Sequence, residues 1–242
     1  MIKIEKTDVF GWVSAIRGMR NPMNSWDKSD SRWGCIDEGG NFCTGDCGKD
    51  CSGWQYIIGE NDLKLMKKLS KAGSDHSKFL RYIVVSFDVE APLYWWKEME
   101  TYRVGVAENP SDIEFNSCST MHKIQAKEFD MFDFSFEKLS GKGEDLTGYG
   151  SEWFTPLDIL QLIIDTLNGA RQRFLETKDK HYWWQMIQLL PSSYNQKRTV
   201  QLNYQVLKQM YFARRNHKLD EWHTLCDWIE TLPYFKEIVL DE

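Results

Sequence analysis

Three things are missing from this sequence, and each absence removes a class of function. No block of lysines and arginines occurs in the 242 residues, and the formal net charge is -6. Binding DNA or RNA depends on neutralising many phosphates, so a nucleic-acid polymer is not the expected partner. A mononucleotide stays open, because one phosphate needs only a few local donors. No apolar run reaches the ~20 residues that a membrane-spanning helix requires, so no membrane partner is expected. The opening MIKIEKTDVFGW has no basic region followed by an apolar stretch. A secretory signal is therefore not expected, the cytoplasm is the default compartment, and cysteines there should be mostly reduced. No internal repeat or linker interrupts the chain, so the expectation is one domain over 1–242.

What is present is an ordinary globular composition, with 42% hydrophobic and 27% charged residues. Aromatics are abundant at 14%, including 11 Trp. They supply either core mass or stacking surfaces for bases, flavins or sugars, and core mass is the commoner use.

Ile2 and Ile4 alternate like a short edge strand, and Val9 to Arg17 reads as a short helix ending near Gly18. Residues 21–54 are rich in Asn, Asp, Ser, Gly and Cys without a usable period, and read as a long Cys-rich loop insertion. Cys35, Cys43, Cys47 and Cys51 lie within it. Four thiolates suit a tetrahedral zinc, but the spacing is neither the paired C-x-x-C of zinc ribbons nor that of ferredoxins. Unpaired reduced thiols are the simpler reading, and zinc is not the expected cofactor.

Asn61 is a helix cap by type, with Leu63, Met66 and Leu69 on one face of a helix ending at Ala72-Gly73. Ser74 to Ser77 then form a polar corner before a strand over 79–87. Ala91-Pro92 suits a first helical turn. The polar cluster Asn116, Ser117, Ser119, Thr120 and His122 follows. Strand, helix and polar loop in this order make a buried strand and a capped amphipathic helix, the commoner arrangement, or a wall for a ligand pocket. The loop at Gly141–Gly150 lacks the Lys-Ser/Thr ending of a phosphate-binding P-loop. Thr155-Pro156-Leu157-Asp158 is a strong helix start, and its helix is apolar enough to be central and buried. Further helices are expected from Tyr182 to Leu190, after Thr199, and around Trp222, Cys226 and Ile229. The C-terminal LPYFKEIVL reads as a strand or a tail.

Leu190 to Trp222, LPSSYNQKRTVQLNYQVLKQMYFARRNHKLDEW, resembles the C-terminal half of the flavin-dependent thymidylate synthases. Those proteins carry a Leu-Pro, an Asn twelve residues after the Pro, an Arg eleven residues after the Asn, and a Glu soon afterwards. Pro191, Asn203, Arg214 and Glu221 keep that order. Gly73 to Ser77 is similar to the family's Gly-His-x-Ser corner, and Asn116 to His122 stands where its second central motif belongs. The resemblance spans roughly 60–230. It departs from the family at the Arg-His-Arg motif, where Glu100-Thr101-Tyr102 stand with only Arg103 adjacent. Met121 replaces the arginine of the next motif, Met186 to Leu189 supply no arginine before the Leu-Pro, and Gln205 replaces a basic residue.

The resemblance implies an α+β fold with a short mixed sheet and a predominantly helical C-terminal half, assembled as a homotetramer. It implies FAD as cofactor, with NADPH and methylenetetrahydrofolate if the protein is catalytic, and a pyrimidine nucleotide as partner. Residue by residue, it places Ser119 beside the pyrimidine as the catalytic position. It places His76, Asn203 and Arg103 on the flavin side, and Arg214, Lys97 and Asn116 on the nucleotide side. Local readings compete: capping for Ser119 and Asn203, and compensation of a helix dipole for Arg214. The implied activity is one-carbon transfer to a pyrimidine deoxynucleotide. The lost arginines support an alternative, a repurposed scaffold that binds another nucleotide or a protein. A zinc-stabilised interaction protein built on the Cys loop is the third reading.

Overall fold

The structure is a computed structural model, and it describes residues 2–36, 53–102, 114–149 and 152–241. The fold mixes helices and small sheets. In order, the N-terminal elements are β1 (Lys3–Phe10), α1 (Trp12–Arg20), β2 (Arg32–Cys35), β3 (Trp54–Ile57) and α2 (Glu60–Lys71). β4 (Val84–Pro92), α3 (Leu93–Met99), β5 (Glu114–Ser117), β6 (Thr147–Tyr149) and β7 (Glu152–Phe154) follow. The rest is α4 (Pro156–Thr177), α5 (Lys180–Leu189), β8 (Asn195–Asn203), α6 (Tyr204–Arg214), α7 (Asp220–Glu230) and a π-helical turn at Lys236–Leu240. One sheet has the order β1-β4-β8-β5, so β1 is an edge strand as its alternation suggests. β2 with β3 and β6 with β7 form separate antiparallel ladders.

The chain forms two compact units. One comprises Met1–Lys6 with Phe87–Val200, the other Thr7–Ser86 with Gln201–Glu242. The first has a core of Ile124, Phe129, Phe134, Leu160, Ile164, Leu167 and Met186. α4 supplies three of these, each stabilising by about 1.5–3 kcal/mol when fully buried. Its start matches the sequence: Thr155 Oγ1 accepts from the Asp158 amide, and the Asp158 side chain accepts from the Thr155 amide. Central burial does not hold, since Leu162 is 55% exposed. One face is enough to cover the core, with Ile163, Ala170 and Phe174 partly buried against it, while Ile159, Leu162 and Leu175 face outward.

The second unit packs aromatic rings edge to face, Trp12 on Tyr204 and Tyr204 on Phe235. Its organising polar group is Asp62, fully buried in the first turn of α2. One Asp62 oxygen accepts from Arg20 Nε at 2.6 Å. The other accepts from the hydroxyls of Ser29 and Ser31 at 2.7 and 2.6 Å and from the amides of Asp30 and Ser31. Arg20 also donates to the carbonyls of Ser25 and Lys28. The stretch read as a plain loop from residue 21 is therefore partly built: 3₁₀ turns at Asn21–Met23 and Trp26–Lys28, then β2, held by one ion pair. Burial raises the Asp62 pKa, but the bonds from Ser31, Ser29 and Arg20 outweigh it and hold the carboxyl below the usual range.

Several boundaries differ from the sequence reading. The helix expected over Val9 to Arg17 is α1 at Trp12–Arg20, with Val9 and Phe10 in β1, and the C-terminal LPYFKEIVL carries the π-helical turn rather than a strand. Residues Ser77–Tyr82 form a 3₁₀ helix, and the strand starts at Val84 and runs through Pro92, which caps α3 instead of entering it. Asn61 lies inside α2, whose cap is Gly59; the Asp30 side chain accepts from the Asn61 and Asp62 amides in its place. Thr199 begins no helix. It lies in β8, whose Val200 and Leu202 point inward at strand spacing, and the cap of α6 is Asn203.

Candidate functional site

In the second unit, a cavity of about 560 Å³ lies among α1, α2 and the 3₁₀ segment. Met19, Met23, Leu65, Leu69, Phe79 and Tyr82 form its apolar wall, and His76, Lys68, Lys78 and Asp75 carry its polar groups. His76 is exposed at the start of the 3₁₀ segment. The adjacent Ser77 is buried and donates from Oγ to Gln205 Oε1 at 3.1 Å. The Ile83 carbonyl accepts from the Tyr204 amide at 3.0 Å. The corner at 73–77 and the start of α6, far apart in sequence, are thus joined.

Asn203 is 5% exposed, and its Oδ1 accepts from the Val206 amide at 3.1 Å. Arg214 stands in the last turn of α6, where a cation complements the helix dipole. Its guanidinium carbon lies 4.7 Å from the centroid of the Trp222 ring. Eleven residues of helix separate the two positions by about 16 Å at 1.5 Å per residue, so they do not converge on one small group.

In the first unit, Lys97, Asn116 and Ser119 are all exposed. Ser119 Oγ accepts from the His122 amide at 2.8 Å and lies 3.2 Å from His122 Nδ1, a local turn. The loop is anchored by the Cys118 amide donating to the Lys197 carbonyl and by Gln196 Nε2 donating to the Cys118 carbonyl.

Glu100, the most conspicuous departure from the resemblance, has a defined role. Its Oε1 accepts from Arg198 Nη1 at 2.5 Å. Arg198 stacks over Trp96, with its guanidinium carbon 4.4 Å from the ring centroid, and donates from Nε to Gln196 Oε1 at 3.0 Å. One strand position further, Thr199 donates to Asp88, which also pairs with Lys197 and Lys6. The Thr199 bond is the largest influence on the Asp88 carboxyl; burial opposes it, and with the added pull of Lys197 and Lys6 the carboxyl stays below its ordinary range. Sequence reading missed Arg198; the alternation of β8, which puts Arg198 on the strand face opposite Gln201, was the available signal.

Arg103, Cys43, Cys47 and Cys51 lie outside the described residues. Cys35 is buried at the end of β2. Among the described residues no three His, Cys, Asp or Glu side chains gather as metal ligands.

No protein-family model matches the sequence, and no curated protein matches it. Solved structures do match in fold. Thymidylate synthase X (ThyX) from Helicobacter pylori, in a crystal structure with FAD and dUMP, superposes with a TM-score of 0.61 at 15% identity. That alignment covers 100% of this chain and 98% of the other. A second structure of the Helicobacter pylori enzyme, complexed with FAD and dUMP, gives the same TM-score and identity over 99% of this chain and 98% of the other. This chain therefore has the fold of the flavin-dependent thymidylate synthases.

Proposed function

We propose that this chain is a nucleotide-binding protein on a flavin-dependent thymidylate synthase scaffold, with FAD and a pyrimidine deoxynucleotide as its ligands. The supporting observation is the likeness in fold along the whole chain to an enzyme crystallised with FAD and dUMP. The residues present fit a flavin in part. The cavity beside His76 offers apolar walls to a ring system, and Lys68 and Lys78 offer charge to phosphates. A bound flavin would supply hydride or one-carbon chemistry, while the protein binds and orients the ring and excludes water. On this reading His76, Asn203 and Arg103 belong to the cofactor side. Arg214, Lys97 and Asn116 belong to the nucleotide, and Ser119 stands beside the reacting pyrimidine. NADPH and methylenetetrahydrofolate would be the further substrates of one-carbon transfer. A cytoplasmic homotetramer would cover outward apolar side chains such as Leu162 and Trp153.

One observation favours a second reading, the same scaffold without the synthase reaction. Glu100 neutralises Arg198, leaving a carboxylate where a phosphate-binding arginine stands in the resemblance. A carboxylate beside a phosphate is repulsive and disfavours that ligand.

Visible absorbance of the purified protein, before and after loading with FAD and gel filtration, tests the first reading. Two flavin bands eluting with the protein are expected, followed by calorimetric binding of dUMP. Absence of both defeats it. FAD retained without dUMP binding or turnover moves the assignment to the second reading.

A further inference from the structure

A second cavity in the same unit, about 400 Å³, lies where the β2–β3 hairpin meets the start of α1. Five of its lining residues are aromatic: Phe10, Trp12, Trp33, Tyr56 and Tyr234. Trp33 and Tyr56 are direct cross-strand partners, with ring centroids 5.4 Å apart at 69°. Trp12 and Tyr234 meet at 5.6 Å and 75°. Two perpendicular pairs make corners rather than a parallel slot, a shape suited to a rounded group more than to a flat one. Trp33 is 55% exposed and Phe10 45%, so these two rings are reachable from solvent, while Trp12 is buried behind them.

No Asp, Glu, Lys or Arg lines this cavity among the described residues; Gln55 and Ser14 are its polar side chains apart from the tyrosine hydroxyls. An anion would find no counter-charge there, whereas ring faces carry negative potential and attract cations. The protein's net charge of -6 acts in the same direction. The adjoining cavity, which shares Val13 and Tyr56, carries Arg17 and Arg20 and does not suit a cation.

The backbone is also unusual here. Tyr234 has φ +56°, a conformation that a bulky side chain rarely adopts. Gly11 has φ +96°, and a Cβ there would lie 1.8 Å from the Tyr82 carbonyl oxygen, so only glycine fits. Strain of this kind collects at binding sites.

We propose that this aromatic cavity binds a methylated ammonium cation, the trimethylammonium head of a small molecule. The face of each ring would meet the positively polarised methyl groups, with no ion pair required.

The test is calorimetry on the full chain with choline, tetramethylammonium and 3,3-dimethylbutanol, the uncharged isostere of choline. Both cations should bind saturably, and choline at least about tenfold more tightly than the isostere, in keeping with a desolvated cation–π contact. Trp33→Ala, at an exposed hairpin site, should remove binding while circular dichroism stays unchanged, and Trp33→Phe should retain part of it. Equal affinity for choline and the isostere would overturn the proposal. So would no saturable binding of either cation, or binding that survives both Trp33→Ala and Tyr56→Ala.

Discussion

The two compact units solve the burial of charge in opposite ways. In the unit containing α1 and α2, Arg20 and Asp62 have side chains 4% and 0% exposed, and nearby groups satisfy both carboxylate oxygens. In the other unit, Glu100 is 49% exposed and faces an Arg198 that rests on Trp96. The first arrangement fixes a segment with few apolar residues. The second leaves a carboxylate at the surface, where solvent screens it. A buried pair is costly to break because the survivor has no water, whereas a rim pair contributes little.

The sharpest way to break this comparison is Asp62→Ala. It strands the Arg20 guanidinium in the interior and frees four donors, so urea denaturation should show a loss of about 3–5 kcal/mol. A pH titration extends the point. The Asp62 pKa is lower in the folded state, so its stabilisation is complete above the ordinary aspartate range and is lost as pH falls through the folded value. Near-ultraviolet circular dichroism should show an acid transition, and Asp62→Asn should remove that pH dependence along with the stability. A smaller effect, about 1 kcal/mol, is expected for Thr155→Ala, which removes half of the α4 capping box. The smallest belongs to Glu100→Gln. Thermal melts should change by less than about 1 kcal/mol, because the partner Arg198 keeps its stacking and its bond to Gln196. A loss of several kcal/mol there would mean that the two units do not differ as described.

Local signals were read well where they were dense. The Thr-Pro-x-Asp start of α4, the Leu-Pro end of α5 and the Trp222–Cys226–Ile229 stripe of α7 all hold. β8 was misread because Thr199 looks like a cap, although Val200 and Leu202 alternate as strand residues do. The β2–β3 hairpin was hidden because its partners, Trp33 and Tyr56, stand far apart in a polar stretch. The pairing of Arg20 with Asp62 spans 42 residues and leaves no periodic trace at all. The candidate site was legible only as residue types: Asn203 caps α6 and Ser119 closes a local turn, and what surrounds them depends on contacts that spacing does not encode.

The Asp62 carboxylate also has a consequence for hydrogen exchange. It accepts from the amides of Asp30 and Ser31, which lie outside any helix and just before β2. Such amides ordinarily exchange with solvent within seconds, but these two are tied to a side chain with no solvent exposure. They should exchange as slowly as amides in the core of α2, so an irregular segment would behave in deuterium oxide as part of the helix it caps.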